Sequence, residues 1–383
     1  LNAKSLPELL PKALRNDLPE LASSIRMLHQ PPTDADQTLL LAGLHPAQRR
    51  LALEELLAHQ LSMLQVRQQA QAVKAVAIAP STQLKPAFLQ QLPFHPTAAQ
   101  QRVVAEIEAD LRQPYPMLRL VQGDVGSGKT LVAALVALAA IEAGYQVALM
   151  APTELLAEQH AQSFALWFEP LGIAVGWLAG KSKGKARTAT LEALASGELQ
   201  LVVGTHALFQ ESVQFHNLAL VIIDEQHRFG VHQRLALREK GEQQGQHPHQ
   251  LVMTATPIPR TLAMTAYADL ATSIIDELPP GRTPVQTVAI PDTRRDQVIE
   301  RLRASVHDEG RQVYWVCTLI EESESLQCQA AEDTAKYLQE ALPSVRIGLV
   351  HGRLKGAEKE AVMQQFKAHE LDLLVATTVI EVG

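Results

Sequence analysis

The 383-residue sequence has only two cysteines, Cys317 and Cys328. They stand too far apart to make a C-x-x-C redox or zinc pair, so neither a disulfide framework nor a metal-thiolate site is expected, and a reducing compartment fits. Long hydrophobic runs are lacking as well. The longest, residues 131–141, is about half of the ~20 residues that a bilayer span requires, and no basic segment leading into an apolar one resembles a signal peptide. A cytosolic enzyme is the default expectation. Basic residues are not in excess either: 34 Lys and Arg against 41 Asp and Glu leave a net charge of -7. That balance argues against a protein that coats nucleic acid through overall basicity, while a local basic groove stays open. Finally, no methionine stands at position 1, and the chain closes at Gly383 soon after the strand-like run 371–376, which is the pattern expected of a piece of a larger protein.

What is present is an ordinary globular composition, 46% hydrophobic and 20% charged, in a chain long enough for two or three cores. Residues 7–29 and 46–76 read as helices. Leu53, Leu56, Leu57, Leu61 and Leu64 recur at three- and four-residue spacing, one face of a long helix that is expected to bury. From about Phe94 apolar runs alternate with helical stretches. The runs 117–121, 146–150, 199–203, 218–223 and 250–253 predict continuous buried strands of a parallel sheet covered on both faces. A pause at Pro279-Pro280-Gly281 predicts a linker, and the runs 285–290, 313–317, 346–350 and 371–376 predict a second, shorter α/β lobe. The expected organisation is a helical connector over 1–93, a first lobe over 94–278 and a second lobe over 279–383.

The strongest chemical signal is GDVGSGKT, comprising Gly123, Asp124, Val125, Gly126, Ser127, Gly128, Lys129 and Thr130. It satisfies G-x-x-x-x-G-K-[ST] between a predicted strand and a predicted helix, the context that a phosphate-binding loop requires. Glycines let backbone N–H groups turn inward to phosphate oxygens, and the helix N-terminus adds partial positive charge. Lys129 is expected to bridge the outer phosphates of ATP, and the Thr130 hydroxyl to coordinate Mg2+. A second acidic element is needed, and LALVIIDEQH supplies it at the C-terminal end of a predicted strand. Asp224 is expected to hold Mg2+ through water, and Glu225 to orient or deprotonate the attacking water. His227 has two open roles, coupling the nucleotide to nucleic acid or a satisfied structural histidine.

Seven segments stand in the order and rough spacing of superfamily 2 helicase motifs: GDVGSGKT, APTELLAEQH, GTHALF, DEQHRFGVHQR, TATPIPRTL, LVHGRLK and ATTVIEVG. The match runs from Phe94 to the end. Within that superfamily, DEQH and the stretch TATPIPRTLAMTAYADL resemble the RecG family of branched-DNA helicases. The resemblance implies two RecA-like parallel-sheet lobes of a P-loop NTPase, the second incomplete here, behind a helical connector. It also implies an ATP-dependent, Mg2+-requiring motor of the bacterial cytoplasm, monomeric, that remodels Holliday junctions and stalled forks of double-stranded DNA as its lobes close and open on ATP.

Residue by residue, the resemblance makes Gln100 the reader of adenine, a carboxamide able to donate and accept together. The alternative is that Thr97 caps a helix and Gln100 is exposed. Thr153 and Thr205 resemble contacts to the DNA backbone, with a helix N-cap as the alternative for Thr153. Thr254 and Thr256 resemble the element that couples hydrolysis to DNA movement, and Arg260 a strand contact. Lys181, Lys183, Lys185 and Arg187 form a basic cluster, either a solvated loop or a DNA contact. The rival family is the transcription-coupled repair translocase, which carries DEEH where Gln226 stands here. A rival class is a non-hydrolysing ATP-gated module, which the joint presence of Lys129, Asp224 and Glu225 opposes. Arginines of a later motif fall beyond Gly383, so the 383 residues alone are expected to hydrolyse ATP near background.

Overall fold

A computed structural model describes residues 6–180, 184–225, 245–256, 270–279, 281, 285–317 and 324–377. The chain forms two compact units, Leu1–Arg282 and Thr283–Gly383.

The first unit opens with four helices, α1 (Lys12–Arg15), α2 (Leu21–His29), α3 (Gln37–Leu41) and α4 (Pro46–Gln71). The single helix expected over 7–29 is in fact two, because the chain turns at Asn16 with φ 50° and Pro19 follows three residues later. The leucine stripe of α4 is also a correction. Leu56, at 68% exposure, and Leu61 and Leu64 face outward, while Leu53 and Leu57 are only partly covered. Burial at the start of α4 is instead polar: the Arg50 guanidinium, fully enclosed, is paired with Glu8 at 2.7 Å and with Glu54.

Residues 74–78 then stitch this region to the sheet. Ala75 N donates to Pro114 O at 2.9 Å, Ile78 N to Leu111 O at 2.8 Å, and His247 N to Lys74 O at 2.9 Å. His249 is buried here with both ring nitrogens in use, Nδ1 accepting from Met117 N at 3.0 Å and Nε2 bonded to Val76 O at 2.7 Å.

Helices α5 (Leu84–Gln91) and α6 (Ala98–Leu111) lead into the sheet. Its strands are β1 (Leu118–Gln122), β2 (Gln146–Met150), β3 (Val175–Leu178), β4 (Leu201–Gly204), β5 (Leu218–Asp224), β6 (His249–Thr254) and β7 (Ala271–Ile274). The spatial order is β3-β4-β2-β5-β6-β1-β7 with every pairing parallel. Strands β2, β4 and β5 are buried along their whole length, the outcome their unbroken apolar runs dictate in a sheet covered on both faces. Among the described residues the further α-helices of this unit are α7 (Lys129–Glu142), α8 (Glu154–Phe168) and α9 (Lys185–Ser196).

The apolar run 131–141 belongs to α7 and is buried at every position. Its alanines allow α5, α6 and the sheet to approach from all sides. Among the described residues no helix is long and apolar enough to cross a membrane. At the C-terminal end of α7, Glu142 caps α5, accepting from Thr82 N, Thr82 Oγ1 and Leu84 N at 2.9 Å each and from the Ser81 hydroxyl. Burial pushes this carboxyl up, yet the bonds from Ser81, Leu84 and Thr82 outweigh it and hold the pKa at about 2.

The second unit holds a three-stranded parallel sheet in the order β8-β10-β9, with β8 at Val313–Val316, β9 at Ile347–Val350 and β10 at Leu373–Ala376. Helices α10 (Arg295–His307), α11 (Glu324–Ala341) and α12 (Gly356–Lys367) cover it. The central strand alternates as a two-residue period requires: Leu373 and Val375 pack with Ile299, Leu338 and Leu342, whereas Leu374 and Ala376 pack with Val350 and Phe366. The run 285–290, expected to open this sheet, forms no strand, and Val285 is 82% exposed.

Candidate nucleotide-hydrolysis site

The site is built at the C-terminal ends of β1, β5 and β6, where a parallel sheet presents loops and helix N-termini together. The loop leaving β1 turns through Gly126 (φ 78°) and Gly128 (φ 86°), conformations that side chains disfavour, before α7 begins at Lys129. Ser127 N donates to Asp124 O at 3.0 Å, closing the turn, and Gly123 N donates to Thr254 O at 3.3 Å, tying the loop to β6.

Lys129 Nζ donates to Gly123 O at 2.7 Å and Asp124 O at 3.1 Å. Burial lowers its pKa, and the carboxylates of Asp224, Glu225 and Asp124 work against that fall. The ammonium thus lies in the field of three acids. Val125 is exposed, and Thr130 is half-buried in the first turn of α7. The Ser127 hydroxyl is buried and has no hydrogen-bond partner among the described residues.

Gln100 sits behind this loop and is only 3% exposed. Thr97 caps α6, with Gln100 N donating to Thr97 Oγ1 at 3.3 Å and Thr97 N to Gln100 Oε1 at 2.9 Å, a complete capping box. The other end of the carboxamide, Nε2, donates to Ser127 O at 2.8 Å. The cap was foreseen, but an exposed Gln100 was not the result. Both ends of its amide hold backbone, so in this arrangement the side chain braces the phosphate loop. A Cβ on Gly128 would collide with Gln100 Nε2, which explains glycine there beyond its φ.

Asp224 and Glu225 end β5 and are both largely buried. Glu225 adopts φ 50°, turning the chain sharply at the strand end, and its N–H returns to Met253 O at 2.8 Å. Thr254 Oγ1 donates to Glu225 Oε2 at 2.8 Å, Ala255 N donates to Glu225 Oε1 at 2.9 Å, and Thr256 N donates to Thr254 Oγ1 at 3.1 Å. The structure therefore brings Glu225 and the TAT element into one bonded unit. Asp224 Oδ2 is instead 2.7 Å from His160 Nε2 on α8. His160 had no assigned role in the sequence. Its signal is that it is the polar member of the buried stripe Leu156, Ala157, His160, Phe164 and Phe168.

The other expected residues divide. Thr153 is exposed and is the N-cap of α8, accepting from Leu156 N at 3.3 Å. Thr205 is 2% exposed and its hydroxyl has no hydrogen-bond partner among the described residues. Lys185 and Arg187 lie in the first turn of α9 rather than a loop, and Arg187 donates to Gln210 Oε1 at 2.6 Å. His227, Arg260, Lys181 and Lys183 lie outside the described residues.

The family model described as DEAD/DEAH box helicase matches residues 97–265, and the helicase conserved C-terminal domain matches 294–383. ATP-dependent DNA helicase RecG of Escherichia coli K12 is 67% identical over 383 residues, all of this chain and 55% of that protein. The RecG of Bacillus subtilis is 46% identical over 388 residues, again 55% of its length. A structure of RecG bound to a three-way DNA junction aligns with TM-score 0.77 at 39% identity, covering 99% of this chain and 48% of that one. A DNA-bound MrfA helicase, 15% identical at TM-score 0.59, shares the fold. With this loop, this acidic pair and these relatives, the chain belongs to the RecG family of helicases, and it spans about half the length of the curated relatives it matches.

Proposed function

We propose that the protein to which this chain belongs is an ATP-dependent motor that translocates on and remodels branched double-stranded DNA. The observation that carries the reading is the bonded path from the phosphate loop through β6 to the catalytic acids: Gly123 N to Thr254 O, and Thr254 Oγ1 to Glu225. A hydrolytic site needs a general base held within reach of the phosphates, and two donors fix the Glu225 carboxylate in place. Lys129 supplies positive charge to the outer phosphates, and Gln100 holds the loop that receives them. A relative bound to a three-way junction supports branched DNA as the substrate.

The residues fit Mg2+. Asp224 and the Thr130 hydroxyl are hard oxygen donors, and the orphaned Ser127 hydroxyl indicates a loop built for a polar ligand. Among the described residues no group of three or more acidic, histidine or cysteine side chains is placed to hold a metal ion by itself. Two protein ligands with substrate phosphates and water is the usual pattern for this ion. Bound with ATP, Mg2+ would neutralise phosphate charge; Glu225 would take the proton of the attacking water, and Thr254 and Ala255 would hold Glu225 while it does so. Monomeric action in the bacterial cytoplasm completes the proposal.

The test is the steady-state ATPase rate of the full-length protein with branched DNA, linear duplex and RNA. Greatest stimulation by branched DNA is expected. Equal stimulation by linear duplex, or stimulation by RNA alone, would overturn the substrate assignment.

A further inference from the structure

We infer that His160 is a positioning residue that presents the Asp224 carboxylate to Mg2+. The inference rests on the reading of Asp224 as the acid on the metal side of the site. Three observations support it. The first is the contact, 2.7 Å between His160 Nε2 and Asp224 Oδ2, with both side chains about nine-tenths buried. An N–H donor at that distance takes one carboxylate oxygen and fixes the plane of the group. Among the described residues Oδ1 has no hydrogen bond, so it is the oxygen left to accept from water bound to the ion.

The second observation is rigidity. His160 lies one turn before Phe164 on α8; Phe164 packs on Trp167 and Phe168 at centroid separations of 6.0 and 5.2 Å, and these two pack on Phe88 of α5 at 5.9 and 6.0 Å. Phe164 and Phe168 are fully enclosed. The helix is thus anchored by aromatic packing immediately below the histidine, and an imidazole has only two side-chain torsions to fix. A ring so held sets the orientation of Asp224 more firmly than a long flexible donor would.

The third is electrostatic. Lys129 already lies in the field of Asp224 and Glu225, and its place is at the phosphates. A lysine or arginine at position 160 would bond Asp224 equally well but would cancel the negative charge that attracts a divalent ion. Donation of one N–H from imidazole orients the carboxylate and leaves its charge available. Partners that orient metal ligands in this way typically account for 10- to 100-fold in metal affinity.

The experiment measures equilibrium binding of a non-hydrolysable ATP analogue to the full-length protein, in excess Mg2+ and in EDTA, for wild type, His160→Ala, His160→Gln and Asp224→Asn. The quantity read is the factor by which Mg2+ tightens nucleotide binding. For His160→Ala that factor should fall by about 10-fold, with affinity in EDTA unchanged, an outcome that general damage to the fold would not give. His160→Gln, whose amide keeps a donor near the Nε2 position, should recover most of it. Loss of the factor in Asp224→Asn with none in His160→Ala would overturn the inference and leave the role of Asp224 intact. No loss in Asp224→Asn would overturn the reading on which the inference rests. If His160→Ala does not fold, a glutamine variant that folds yet loses the Mg2+ factor as fully as Asp224→Asn would refute orientation through the hydrogen bond.

Discussion

Thr254 at the end of β6 and Glu225 just past β5 are joined hydroxyl to carboxylate at 2.8 Å, both inside the protein. The bond links the element read as the coupling motif to the group read as general base. Thr254→Val keeps the volume and removes the donor, and the loss of one such bond is worth about tenfold. DNA-stimulated hydrolysis by the full-length variant should fall about 10-fold while nucleotide affinity stays as in wild type. Titration of nucleotide binding beside ATPase assays checks this, and an unchanged rate would refute the coupling role.

Glu225→Gln keeps the shape of the side chain and one acceptor oxygen, but its amide nitrogen cannot accept the second of the bonds from Thr254 and Ala255, and the proton acceptor is removed. The full-length variant should still bind ATP and turn over at least ~10²-fold more slowly, the scale of a lost general base. Equal losses of affinity and rate would mean the residue binds rather than activates.

Lys129→Ala removes the ammonium that now rests on Gly123 O and Asp124 O. It also takes the cation from the field of Asp224, Glu225 and Asp124, so nucleotide binding or hydrolysis should collapse. Hydrolysis at the wild-type rate would refute the assignment.

Gln100 distinguishes two mechanisms by nucleotide choice. As an adenine reader, its loss would weaken ATP and spare GTP. As the brace bonded to Ser127 O, its replacement in Gln100→Ala should weaken ATP and GTP together by similar factors. Competition binding with both nucleotides decides between them.

The cap on α5 has a pH signature. Glu142 is held at about 2 in the folded protein against 4.5 for an unperturbed glutamate, a depressed value. Its contribution is therefore fully present above about 4.5 and lost as pH falls from there through about 2. Glu142→Gln should lower the urea midpoint of the first unit at neutral pH, and the gap from wild type should shrink steadily below pH 4.5. A gap that is constant with pH would show that the carboxylate charge contributes nothing.

Much of this was legible in the sequence because the chemistry is local. The phosphate loop announces itself within eight residues, and β2 and β5 are unbroken apolar runs that only a strand covered on both faces explains. What escaped depends on distant partners. Strands β3 and β7 are four residues each and contain Gly176 and Thr272-Ser273, so no run stands out until β4 and β1 pair with them. Val285, Val288 and Ile290 have the composition of a strand and no described neighbour to make one. The α4 leucines have the spacing of a buried face, but spacing does not supply a surface to bury against. Gln100 could be placed at a cap from its position after Thr97, while its bond to Ser127 joins residues 27 apart. Arg50, an arginine that any sequence rule would leave outside, is enclosed because Glu8 lies across from it.

The order of strands carries a further consequence, for the birth of the protein on the ribosome. Strand β1, from which the phosphate loop springs, lies between β6 and β7 in the sheet. Met117 and His249, which meet where β1 begins, are 132 residues apart. The loop is therefore synthesised long before the strands that hold it, and closing that separation is a slow, non-local event. Until residue 254 has emerged, Gly123 has no Thr254 carbonyl to bond and Glu225 has no hydroxyl to hold it. A nascent chain at that stage contains every residue of the GDVGSGKT signature and still lacks the contacts from β6 that hold the loop and the acid in place.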